Sequence, residues 1–100
     1  MCRLLKISGN SLYPVYQEGD FVMISKISLF FKPVKRGDIL VFRHAYYGTL
    51  IKQADHVLPG GKEVFVLGTG EQSIDSRSFG PVKIRDLDGR VIHHIKKPGT

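Results

Sequence analysis

The chain has 100 residues, 42% of them hydrophobic, with one cysteine and a formal charge of +6 from 15 Lys+Arg against 9 Asp+Glu. That length gives one domain with a modest core, and a single cysteine excludes an intramolecular disulfide and a cysteine-built metal site. The positive balance favours anionic partners without choosing between lipid headgroups and nucleic acid.

In chain order the apolar runs are short and rich in β-formers: residues 4–7, 21–24, 39–42, 49–51, 64–67 and 90–95. Gly19-Asp20, Gly37-Asp38, Pro59-Gly60-Gly61, Gly80-Pro81 and Asp88-Gly89 separate them as turn formers. No segment keeps a 3.6-residue apolar period over three turns, so little helix is expected. The runs 21–24, 39–42 and 64–67 do not alternate, which predicts strands covered on both faces. The expected fold is therefore mainly β: a single small domain over residues 1–95, folded over or barrel-like, with the polar segment 96–100 as a frayed tail. No run approaches the roughly 18–20 apolar residues of a spanning helix, and the first six residues hold no secretory signal. A chain that is soluble or peripheral at a membrane surface is expected.

Three segments carry candidate chemistry. Ser8-Gly9-Asn10-Ser11-Leu12-Tyr13-Pro14, followed by Glu18-Gly19-Asp20, reads as an ordinary turn. It also reads as a tight bend that exposes the Ser11 hydroxyl beside N–H groups able to hold an oxyanion. In the second segment, strand geometry puts Leu50, Lys52 and Ala54 on one face, so Lys52 has apolar neighbours in sequence. A surface lysine with a snorkelling stem is the plain alternative. A general base needs a pKa near 7–8 against roughly 10.4 unperturbed, a fall worth about 4 kcal/mol that burial can supply. The third segment, residues 68–80, holds Asp75 and Arg77 among three serines. It reads as a loop tied by local hydrogen bonds, or as a second wall of a site in which Ser73 orients the base.

In their order these segments resemble the type I signal peptidases and the related LexA-type self-cleaving domains. The pattern is S-G-x-S-hydrophobic-x-P…G-D, then R-G-D-I-hydrophobic-V-F, then a lysine shortly before L-P-G, then S-x-D-S-R-x-x-G, over about residues 7–91. The resemblance implies coiled antiparallel sheets, Ser11 as nucleophile and Lys52 as base. It implies Asn10, Ser11 and Ser73 as the oxyanion-holding and orienting group, and Asp75 with Arg77 as a brace. A protein or peptide substrate would add as an extended strand and be cleaved in a leader or signal segment through an acyl-enzyme. Leu12, Gln53, Leu58-Pro59-Gly60-Gly61 and Gly68-Thr69-Gly70 depart from the family pattern. Short spacing and the run from Asp75 to Val82 resemble the maturation peptidases associated with nickel superoxide dismutase. From another class comes a catalytically weak module of the same fold that holds a peptide or a membrane surface. Self-cleavage is disfavoured because only ten residues precede Ser11.

Between Lys26 and Arg36, Leu29, Phe30 and Phe31 form an apolar tip with basic flanks. They either pack inward or meet an anionic membrane surface. His44, His56, His93 and His94 lack metal-ligand spacing, and the last two point to opposite strand faces. No metal and no cofactor are expected. Tyr46-Tyr47 comes with no nucleic-acid-binding pattern, so no nucleic-acid partner is expected.

Overall fold

Short Val, Ile, Leu and Phe runs cannot bury themselves singly, and here they do so by pairing in one antiparallel sheet. The computed structural model describes residues 2–9, 12–69 and 73–98. Its strands are β1 (Cys2–Lys6), β2 (Phe21–Ser25), β3 (Ile39–His44), β4 (Gly48–Val57), β5 (Glu63–Leu67), β6 (Val82–Lys83) and β7 (Leu87–Ile95). They lie in the order β1-β2-β7-β3-β4-β5-β6, and each neighbouring pair is antiparallel. Helix is confined to α1 (Ser28–Phe31), α2 (Ser76–Phe79) and one 3-10 turn over Ile84–Asp86. The mainly β expectation holds. No helix among the described residues is long and apolar enough to cross a membrane.

β3 alone of the three non-alternating runs is buried by adjacent residues on both faces. Leu40 and Phe42 join Val34, Ala54, Val64, Val66 and Leu87 in one core, while Val41 joins Ile7, Val22 and Ile24 in another. β2 and β5 alternate instead, burying Val22 with Ile24 and Val64 with Val66 while Phe21, Met23, Phe65 and Leu67 stay half-buried. The reason is position: β2 and β5 each lie next to an edge strand, whereas β3 is central. Burying one such Leu or Val contributes about 1.5–3 kcal/mol, so the two cores together hold the sheet.

β7 reaches the middle of the sheet because Gly89 lets it approach β2. A Cβ there would stand 3.2 Å from both Ile24 Cβ and the Ser25 carbonyl carbon. Ladder irregularities between Met23 and Ile24, and between Val41 and Phe42, accompany this approach and bend the sheet locally. Next to it, buried Arg90 ties the segment after β2 to the sheet. Its guanidinium donates to Asp38 Oδ2 at 2.7 Å, to the Lys32 carbonyl at 2.6 Å, to the Pro33 carbonyl at 3.2 Å and to Ser28. Beyond Ile95 the chain stays attached as far as Lys97, whose N–H donates to Asp20 Oδ1 at 3.0 Å.

Candidate active site

Strand β4 extends well past the apolar stretch 49–51, because pairing with β3 carries it through the polar residues Lys52 and Gln53. Lys52 lies opposite Leu40 of β3, and Leu50 and Ala54 on its own face pack into the first core. The lysine is 2% exposed. Among the described residues Nζ donates one hydrogen bond, to Ser73 Oγ at 3.0 Å. Burial pushes the amine below the ordinary lysine range; the Asp75 carboxylate opposes that fall and the Arg77 guanidinium adds to it.

The loop that brings Ser73 to Lys52 is held by Asp75, which is 0% exposed. Its carboxylate accepts from Gly68 N–H at 2.9 Å and from Arg77 N–H at 3.0 Å. The Arg77 guanidinium adds a fork, Nε to Oδ1 at 3.0 Å and Nη2 to Oδ2 at 2.7 Å. Burial alone would raise this carboxyl; the Arg77 side chain, with the Gly68 and Arg77 N–H groups, overcomes burial and holds it below the usual carboxylate range. Asp75 is also the N-cap of α2. Ser76, the first residue of that helix, accepts from Val66 N–H at 2.9 Å and so fixes α2 to β5. The segment is tied by local hydrogen bonds, and Ser73 Oγ lies within hydrogen-bond distance of the buried amine.

Ser11 and Asn10 lie outside the described residues. The chain on either side of them is tightly held. Ile7 N–H donates to the Asp20 carbonyl at 2.7 Å, and Gly19 N–H donates to the Ile7 carbonyl at 2.9 Å, which closes the loop at its base. Gly9 N–H donates to Glu18 Oε1 at 3.1 Å, and Leu12 is buried. Thr69 Oγ1 donates to the Tyr13 carbonyl at 2.8 Å. Because Thr69 adjoins Gly68, this bond links the loop after Ser11 to the segment braced by Asp75.

In the sequence Gly19-Asp20 reads as a turn, and His94 as one of four histidines without metal-ligand spacing. The fold brings the two together: His94 Nε2 and Asp20 Oδ2 are 2.8 Å apart, across 74 residues of chain. No local pattern announces such a pair. The apolar tip also divides. Phe30 and Phe31 are 80% and 79% exposed, whereas Leu29 turns inward against the first core. Phe30, Leu29 and Ile84 line an open groove of about 930 Å³ together with Lys26, Lys62, Lys83 and Arg85.

The structure is a small antiparallel β-domain with the buried Lys52 amine set into its sheet beside Ser73. Residues 1–62 match the family described as "Signal peptidase, peptidase S26", and the chain belongs to that family. It is 30% identical over 93 residues to signal peptidase I of Bacillus caldolyticus, covering 85% of this chain and 48% of that protein. It is 28% identical over 99 residues to signal peptidase I V of Bacillus subtilis (strain 168), covering 84% of this chain and 59% of that protein. The chain thus spans about half the length of these relatives.

Proposed function

We propose that this chain is the catalytic core of a serine peptidase that cleaves leader or signal segments, with Ser11 as nucleophile and Lys52 as base. The observation that carries the reading is the buried Lys52 amine, hydrogen-bonded to Ser73 and lowered in pKa by loss of water. An exposed lysine is charged at neutral pH and cannot accept a proton; a desolvated one can. Ser73 Oγ, by accepting one Nζ hydrogen, orients the amine's lone pair. Lys52 takes the Ser11 proton as Oγ forms its bond to the scissile carbonyl carbon. The resulting ammonium returns that proton to the leaving amine as the C–N bond breaks, leaving a Ser11 ester. Water, deprotonated by the same amine, hydrolyses the ester and regenerates the serine. The Asp75–Arg77 brace keeps Ser73 in place through these steps. A single protein client, as in the maturation peptidases, is favoured by the resemblance of the run from Asp75 to Val82 to that group.

The test uses a leader-bearing substrate, the wild type and Ser11→Ala. Wild type should release the leader and Ser11→Ala should fall to background, with an acyl adduct on Ser11 visible by mass spectrometry in quenched wild type. The rate should rise with pH as Lys52 loses its proton, with a limb below the ordinary lysine value of about 10.4. Cleavage surviving in Ser11→Ala overturns the reading. Peptide binding without cleavage by wild type would instead favour the non-catalytic module.

A membrane surface is the second proposed partner. Phe30 and Phe31 stand in solvent, and the groove beside them is rimmed by four cationic side chains against the single acid Glu63. That combination suits anionic headgroups above acyl chains. Phe30→Ser/Phe31→Ser should lower binding to phosphatidylglycerol-containing vesicles; equal binding by variant and wild type rules the surface out.

A further inference from the structure

A second polar cluster, away from Lys52, gathers on Asp20. This residue is almost fully buried, and donors from two parts of the chain converge on its carboxylate. Gln17 N–H reaches Oδ2 at 3.1 Å and Lys97 N–H reaches Oδ1 at 3.0 Å. His94 Nε2 lies 2.8 Å from Oδ2. The His94 ring is stacked on Tyr16, with centroids 4.3 Å apart. Lys97 Nζ donates to the Glu18 carbonyl at 3.0 Å, and the Lys97 stem packs where a Cβ on Gly19 would be, 3.2 Å away. Residues 94–97 therefore grip four residues of the loop that follows Ser11: Tyr16, Glu18, Gly19 and Asp20.

The chemistry of the grip fixes its proton. The Lys97 N–H, then the Gln17 N–H and the His94 ring, hold the Asp20 carboxyl down at about 2, so the group is anionic at any working pH. An anionic carboxylate only accepts, so the His94 nitrogen facing it carries a hydrogen whether the imidazole is neutral or charged. The grip costs ordering entropy in two separate segments, 16–20 and 94–97.

We infer that His94 and Asp20 are positioning residues that lock the loop after Ser11 against the end of β7 and so hold the nucleophile in register with Lys52. This rests on the peptidase reading for its consequence, though not for the lock itself. The loop has ties at its base, through Ile7 with Asp20 and Gly19, and at its far side, through Thr69 and Tyr13. The Asp20 cluster holds the span between them. A displacement of about 1 Å at a reacting group lowers a rate on the order of 10²-fold, so a loosened span is read first in kcat.

Two substitutions separate positioning from bulk packing. His94→Gln keeps a donor nitrogen in reach of Asp20 and loses the ring; His94→Phe keeps the ring on Tyr16 and loses the donor. The lock predicts that kcat falls about 10- to 10²-fold in His94→Phe with KM within about twofold, and that His94→Gln restores most of it. Hydrogen exchange should speed up at the Gln17 and Gly19 amides in His94→Phe while the β3–β4 amides keep wild-type protection. Equal loss in both variants, unchanged kcat in His94→Phe, or acceleration extending to β3–β4 overturns the inference. If wild type cleaves no leader substrate, the peptidase reading fails on its own. Exchange then decides the lock: faster loop amides in His94→Phe support it, and wild-type protection there removes it.

Discussion

Replacing Lys52 with methionine is expected to lower cleavage about 10²- to 10⁴-fold and at the same time to make the fold harder to unfold. Both effects come from placing an amine at a position that is 2% exposed, on the strand face that carries Leu50 and Ala54 into the first core. Its folded-state pKa is depressed, chiefly by burial. In that window the unfolded chain binds the proton more readily than the folded one, so wild-type stability rises with pH from the folded value up to about 10.4. Below the folded value the full penalty of a buried charge is present. Methionine of similar length carries no such penalty, and a gain on the order of 1 kcal/mol at pH 7 is expected. Ser73 is half-buried and can turn its hydroxyl to water once Nζ is gone. Urea denaturation of wild type and Lys52→Met at pH 7 and at pH 9.5 checks this. The gap should favour the variant and narrow at the higher pH; a less stable variant, or a gap that ignores pH, contradicts it.

Arg77→Met is expected to have the opposite effect on stability, a loss of about 2–3 kcal/mol at pH 7. Asp75 is 0% exposed, and removing the guanidinium leaves its carboxylate with two backbone N–H groups. About half of Arg77 reaches solvent, which places the loss below that for a fully enclosed pair. The pH dependence gives the cause. In wild type the Asp75 carboxyl is held low, so the stability it contributes is present above the unfolded value of about 3.9 and is lost as pH falls below it. In the variant the carboxyl loses its largest lowering influence and rises, so the difference from wild type is greatest at neutral pH and shrinks on acidification. Activity should respond too, because Arg77 helps lower the Lys52 amine: the basic limb of the rate profile should move to higher pH. Thermal unfolding at pH 4 and pH 7, with Arg77→Met/Asp75→Asn as the partial rescue, measures the stability effects, and the pH–rate profile of Arg77→Met measures the shift of the limb. A loss independent of pH would mean that Asp75 is held by something other than Arg77.

Much of this architecture is legible in the sequence because it is local. Apolar runs between glycine turns mark six of the seven strands, and strand parity around Lys52 puts Leu50 and Ala54 on its side. The Asp75–Arg77 pair is visible because its partners are two residues apart. What is not legible depends on β7 entering the sheet between β2 and β3. Arg90 finds Asp38 52 residues away and His94 finds Asp20 74 residues away, and a histidine or arginine in an alternating strand gives no sign of which loop it will meet. β4 is read short because Lys52, Gln53, Asp55 and His56 interrupt the apolar pattern, although pairing with β3 as far as Gln53 and then with β5 carries the strand to Val57. The two-residue β6 is below the length that any apolar pattern can mark.

The central seat of β7 also governs the order in which this domain can be made. β1 pairs only with β2, and β3, β4 and β5 form a separate meander. During synthesis these two pieces exist before the strand that joins them, with the β2 and β3 edges that β7 will fill still unpaired and open to wrong partners. Docking of residues 87–95 closes both edges in a single step, and its contacts span long stretches of chain, which slows it. The same step delivers His94 and Lys97 to Asp20. A chain interrupted before that point holds Lys52 on a formed hairpin but lacks the grip on the loop after Ser11, so hydrolytic competence is expected to arrive with the last strand.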